Sequence, residues 1–115
     1  MENSEFEKSK AYSIVEMLDY VPNSVAIQTI ITKTTGHIRA VAFDTGEVIT
    51  ERTSRFDTFI QVIDGKAEIV INNKSNFIQT GQSIIIPAHS RNTIKANERF
   101  KMLSTIIKSG YEEGI

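Results

Sequence analysis

FDTFIQVIDGKAEIVI, residues 56–71, decides more about the fold than any other stretch of this chain. Its first half, Asp57–Ile63, is apolar on both faces apart from Gln61, which predicts a well-buried strand. Asp64-Gly65 follows as the strongest hairpin signal in the sequence, because glycine accepts the positive φ that such turns need. The second half, Lys66–Ile71, alternates. Ala67, Ile69 and Ile71 fall on one face and Lys66, Glu68 and Val70 on the other, the period of a strand. The expectation is a strand, a tight turn and a return strand.

The same grammar extends in both directions. Toward the C-terminus, Asn72-Asn73-Lys74 is a second turn, since Asn tolerates left-handed backbone. Phe77–Gln79 runs to a turn at Thr80-Gly81, and the apolar run Ser83–Ile86 is closed by Pro87. Thr93–Ala96 and Phe100–Ile107 flank a turn at Asn97-Glu98. Toward the N-terminus, Ile38–Phe43 lies between Thr34-Thr35-Gly36 and Asp44-Thr45-Gly46, and Val25–Ile31 is rich in β-branched residues. These make roughly eight or nine short strands with no long helix, the pattern of an all-β sandwich or barrel. Closure into a barrel or jelly roll would remove exposed sheet edges.

Ahead of the strands, Ile14, Val15 and Leu18 are spaced for one or two helical turns within Ser13–Tyr20. Ser13 and Glu16 have the spacing of a capping box, and Pro22 with Asn23 ends the segment. Residues 1–12 read as a flexible polar tail, 13–110 as one domain and 111–115 as a second tail carrying Glu112 and Glu113.

Composition narrows the functions. A chain of 115 residues, 40% apolar and 23% charged, is the size and make-up of one globular domain. A formal net charge of −1 supplies no basic field for nucleic acid. The absence of cysteine excludes disulfides, thiolate metal sites and Cys nucleophiles, and only His37 and His89 are left for imidazole chemistry. The N-terminus lacks a signal-peptide h-region, and no apolar run approaches the roughly 20 residues that cross a bilayer. The expectation is a cytoplasmic protein that binds neither nucleic acid nor membrane.

The stretch Gly46 to Gly65, followed by Gly81 to Ala96, resembles the two motifs of the cupin superfamily in its small, single-domain form (cupin 2-like, RmlC-like jelly rolls). Gly46, Gly65, Gly81 and Pro87 stand at the framework positions, and FDTFIQVIDGKAEIVI and ANERFKMLSTII are similar to the matching stretches of small bacterial cupins. The resemblance covers nearly all the chain beyond the first dozen residues and implies an all-β cupin barrel with a short N-terminal helical segment.

The resemblance also marks where a metal would be held, and each of those positions departs from the pattern. The first-motif histidines fall at Arg52 and Ser54, the ligand glutamate at Thr58 and the second-motif histidine at Asn92. Arginine has no lone pair to offer, while hydroxyls and an amide carbonyl are weak substitutes for imidazole and carboxylate. His89 stands at the family's glycine position, where only a slipped loop would turn it inward. No metal and no cofactor are expected.

In the family's pattern Arg52, Ser54, Thr58 and Asn92 face the barrel interior, with Arg52 and Ser54 two apart on one strand face. One reading is a metal-free pocket for a small anionic or sugar-like ligand, with Arg52 pairing a carboxylate, phosphate or sugar acid. The other has Arg52 filling the old metal cavity beside a local acid, or reaching out to the barrel mouth. Arg55, Arg91 and His89 either extend an anion-attracting rim or are solvated loop residues. His37, opening a strand, is expected to be exposed or hydrogen-bonded. Glu47, Glu51 and Asp57 are the candidate acid–base carboxylates, with Glu51 and Asp57 out of phase with the interior. Three functions follow: a binding cupin, a metal-free isomerase or epimerase needing a general base, and a non-catalytic scaffold. Asp57–Ile63 and Phe100–Ile107 would supply the face for a homodimer.

Overall fold

A computed structural model describes residues 5–111; the acidic pair Glu112 and Glu113 lies outside them. A short helix, α1 (Ile14–Met17), leads into β1 (Val25–Lys33), β2 (Gly36–Phe43), β3 (Val48–Arg52), β4 (Thr58–Ile71), β5 (Lys74–Gln79), β6 (Ser83–Ile86), β7 (Asn92–Lys95) and β8 (Phe100–Ile107). The sheet runs β1-β2-β8-β4-β7-β3, with β5 and β6 also paired to β4, and every pairing is antiparallel. The curled sheet is the all-β barrel expected from the sequence.

One feature of the decisive stretch is different. Residues 58–71 form a single 14-residue strand instead of a hairpin. Its first half pairs with β8 and β6, its second half with β5 and β7, so the strand passes from one sheet to the other. A two-residue hairpin of the Asp-Gly kind needs positive φ at both central residues. Here Gly65 has φ +92 and Asp64 does not have positive φ. One left-handed residue with a register shift between Val62 and Asp64 bends a strand without reversing it. Asn72 (φ 48) and Asn73 (φ 71) do meet the two-residue requirement and make the true β4–β5 turn.

Period-two alternation sets what is buried. On β4, Thr58, Ile60 and Val62 point inward, whereas Phe59 and Gln61 are exposed, so this strand is not covered on both faces as its sequence suggested. The barrel core joins Val41, Phe43, Ile60, Val62, Ile69, Ile94, Phe100 and Met102. Phe43 and Phe100 stack with centroids 4.6 Å apart.

The N-terminal segment covers part of the outer sheet face. Leu18 packs on Ala40 and Ala42, with Ile14, Tyr20 and Leu103 around them. Lys101, 8% exposed, donates its Nζ proton to the Val15 carbonyl at 2.5 Å, and the Tyr20 hydroxyl donates to Asp64 at 2.8 Å. The capping box is not formed: Ser13 caps α1 through its carbonyl, with no side-chain bond. Within residues 5–12, Phe6 donates its N–H to the Ile30 carbonyl and its ring lies tilted against that of Tyr12, centroids 4.8 Å apart.

Candidate functional site

Arg52, Ser54, Thr58 and Asn92 line one cleft, together with Thr53, Ile60, Ile86 and Ile94. Arg52 ends β3 directly opposite Asn92 on β7, and the Asn92 side-chain amide donates to the Arg52 carbonyl at 3.2 Å. Thr58 and Asn92 are 8% and 6% exposed. Ser54 does not share a strand with Arg52; it lies in the loop beyond β3, where the Phe56 N–H donates to its hydroxyl at 3.1 Å. The four residues meet in one cleft, with Ser54 arriving through a turn and not along the strand of Arg52.

The cleft is small. Its free volume is about 20 Å³, close to the space one water needs. Two of its five polar residues already hold the β3 end and the following loop in place. Among the described residues, no buried side-chain nitrogen or oxygen lacks a hydrogen-bond partner, and no group of three or more His, Asp or Glu is placed to hold a metal ion. The donor set, a guanidinium, three hydroxyls and an amide, does not fit a transition metal.

Arg52 also belongs to a larger cavity beside the first, of about 70 Å³. This cavity lies between β3 and the inner faces of β2 and β8, and Ile27 of β1 borders it. His37 and Arg39 of β2 and Ser104 of β8 supply its other polar groups. His37, expected to be exposed or hydrogen-bonded, is half-buried on the inner wall. The signal for this was in the sequence, since His37 and Arg39 share strand parity with the core residues Val41 and Phe43. Burial, Arg39 and Lys108 hold the His37 imidazole below its ordinary value near 6.5. No Asp or Glu among the described residues lines either cavity.

The remaining candidates stay outside. His89 is exposed in the β6–β7 loop with φ 65, its N–H donating to the Ser54 carbonyl. Arg91 and Arg55 are also exposed and line neither cavity; Arg55 lies over the Phe56 ring. Asp57 is exposed, and its carboxylate accepts the Ala88 N–H, which ties the start of β4 to the β6–β7 loop. Glu47 is partly buried outside both cavities, and the Glu51 side chain lies outside the described atoms.

No family model and no curated protein sequence matches the chain. Its shape matches many solved structures. A conserved protein of unknown function from Streptococcus pyogenes, SPY1581, superposes with TM-score 0.87 at 24% identity, covering 95% of each chain. A cupin superfamily protein from Desulfitobacterium hafniense gives 0.82 at 21%, covering 88% of this chain and 93% of that one. A cupin 2 conserved barrel domain protein from Leptotrichia buccalis gives 0.81 at 22%, over 84% of this chain and 47% of the other. The fold is a small cupin barrel of the RmlC-like kind.

Proposed function

We propose that this protein is a metal-independent cupin that binds a small polar or anionic ligand inside its barrel. One observation carries the reading: Arg52 reaches both interior cavities and has no ion pair with a described residue. An exposed guanidinium that lines both cavities and has no ion pair with a described residue attracts an anion and pairs it bidentately. Ser54, Thr58 and Asn92 then orient the ligand's other polar atoms. Binding is favoured over isomerase or epimerase chemistry because the inward His37 has no carboxylate beside it among the described residues to orient it as a base.

A thermal-shift screen of native protein against sugar acids, phosphates, short carboxylates and neutral sugars tests this. At least one class should raise the Tm, and the effect should weaken in Arg52→Met. A flat response across all four classes would sink the proposal, as would stoichiometric transition metal in elemental analysis of the native protein.

A second reading concerns self-association, favoured by the part of the outer sheet face that the N-terminal segment does not cover. Ile31, Ile38, Thr105, Phe59 and Ile85 form one cross-strand row over β1, β2, β8, β4 and β6. Ile31 is 45% exposed, Ile85 58% and neighbouring Ile107 61%. Such a contiguous apolar band suits an isologous homodimer. Sedimentation should give a dimer that Phe59→Glu converts to monomer; a native monomer at micromolar concentration would remove this reading.

A further inference from the structure

Resting on the barrel-binding reading, the ligand's chemistry follows from the larger cavity. We propose that the barrel mouth is a receptor for a short organic carboxylate, clamped between Arg39 of β2 and Arg52 of β3. Both guanidiniums line the same cavity from different strands, and neither has an ion pair with a described residue. His37 and Ser104 add donors on the same inner wall: Arg39 faces Ser104 in the β2–β8 register, and His37 lies one inward position along β2. Among the described residues, two guanidiniums without an ion pair and a lining without a carboxylate make an anion the complementary occupant.

The rest of the lining selects among anions. Ile27, Val41, Ile49, Met102 and Ile106 make up an apolar wall beside the cationic one. Inorganic phosphate would satisfy the guanidiniums but leave this wall unfilled. A neutral sugar would satisfy neither part, since its hydroxyls would meet isoleucines and leave the charges unpaired. A carboxylate on a short carbon chain matches both. The free volume of about 70 Å³ sets the size, at about five water-sized spheres, which suits an acid of about six heavy atoms.

Butyrate, butyramide and inorganic phosphate are therefore the discriminating probes for the full-length native protein, using calorimetry at low salt together with NMR of the His37 ring. Butyrate should bind and shift the His37 resonances, whereas its neutral isostere butyramide should not bind measurably. Arg39→Met and Arg39→Lys should each weaken butyrate about tenfold or more, because a charge-assisted fork is lost while the strand remains. If Arg39→Met fails to fold, Arg39→Lys and the native His37 shift still decide. Equal binding of butyramide, tighter binding of phosphate than of butyrate, or full affinity in Arg39→Lys would each overturn the carboxylate clamp while leaving barrel binding standing. Silence of all three probes, with a sugar positive in the thermal screen, would also overturn the clamp alone. Silence of every compound in both experiments removes both proposals.

Discussion

The closed end and the open end of this barrel are built by the same strands under the same alternation, yet they hold opposite chemistry. Along the inner face of β2 the residues run Phe43, Val41, Arg39, His37; along β8 they run Phe100, Met102, Ser104, Ile106; along β4, Val62, Ile60, Thr58. At one end Phe43 and Phe100 are fully buried and stacked. Two inward-facing positions further along β2, at Arg39, the wall carries a cation, and the cavity opens. A jigsaw core at the closed end fixes the strand positions, and that rigidity lets Arg39 and Arg52 at the other end be held in place without an ion pair to a described residue.

The largest effect should come from damaging the closed end. Phe100→Ala removes a fully buried ring and the stacking partner of Phe43, so the loss should be about 3–5 kcal/mol, read from the shift of a urea midpoint. Arg52→Met in the same assay should stay within about 0.5 kcal/mol of native, because its exposed guanidinium has no ion pair to a described residue. If Arg52→Met were as damaging as Phe100→Ala, the division between a structural end and a binding end would be wrong. A small loss in Phe100→Ala would mean instead that the closed end collapses easily around a cavity.

Much of this contrast can be read from the residues. The strands, the Asn72-Asn73 turn and the meeting of Arg52, Thr58 and Asn92 follow from alternation, turn chemistry and framework spacing. Asp64-Gly65 misleads because a bend and a reversal use the same local chemistry. What decides between them is pairing with remote partners: Asp64 lies opposite Lys101, and Lys66 opposite Gln79. His37 was obscured for a different reason. Its position at the start of a strand suggests exposure, but parity with Val41 and Phe43 sends it inward, and parity wins because those neighbours are locked in the core. Ser13 illustrates the limit of motif spacing, since Ser-x-x-Glu matches a capping box whose side-chain bond does not form.

The subtlest difference between the two ends is in their response to pH. The core around Phe43 and Phe100 is apolar, with Asp44 and Arg99 paired at its rim, whereas His37 at the mouth is held below its ordinary value near 6.5 by burial, Arg39 and Lys108. Arg52 lines the same cavity from β3. In the window between the lowered folded value and about 6.5, the unfolded chain binds more protons than the folded one, so stability rises with pH there. The His37 contribution is thus complete above about 6.5 and is lost as pH falls through that window. Asp44 and Glu68 are also held low, by hydrogen bonds from Asn23 and Asn97 respectively, but as carboxylates they act at more acidic pH. A plot of urea midpoint against pH from 5 to 7 should slope upward in the native protein and flatten in His37→Gln. Saturating butyrate should flatten it as well, because an anion between the two arginines offsets the positive field that disfavours the imidazolium. An unchanged slope in His37→Gln would place the titrating group elsewhere and take His37 out of the mouth's electrostatics.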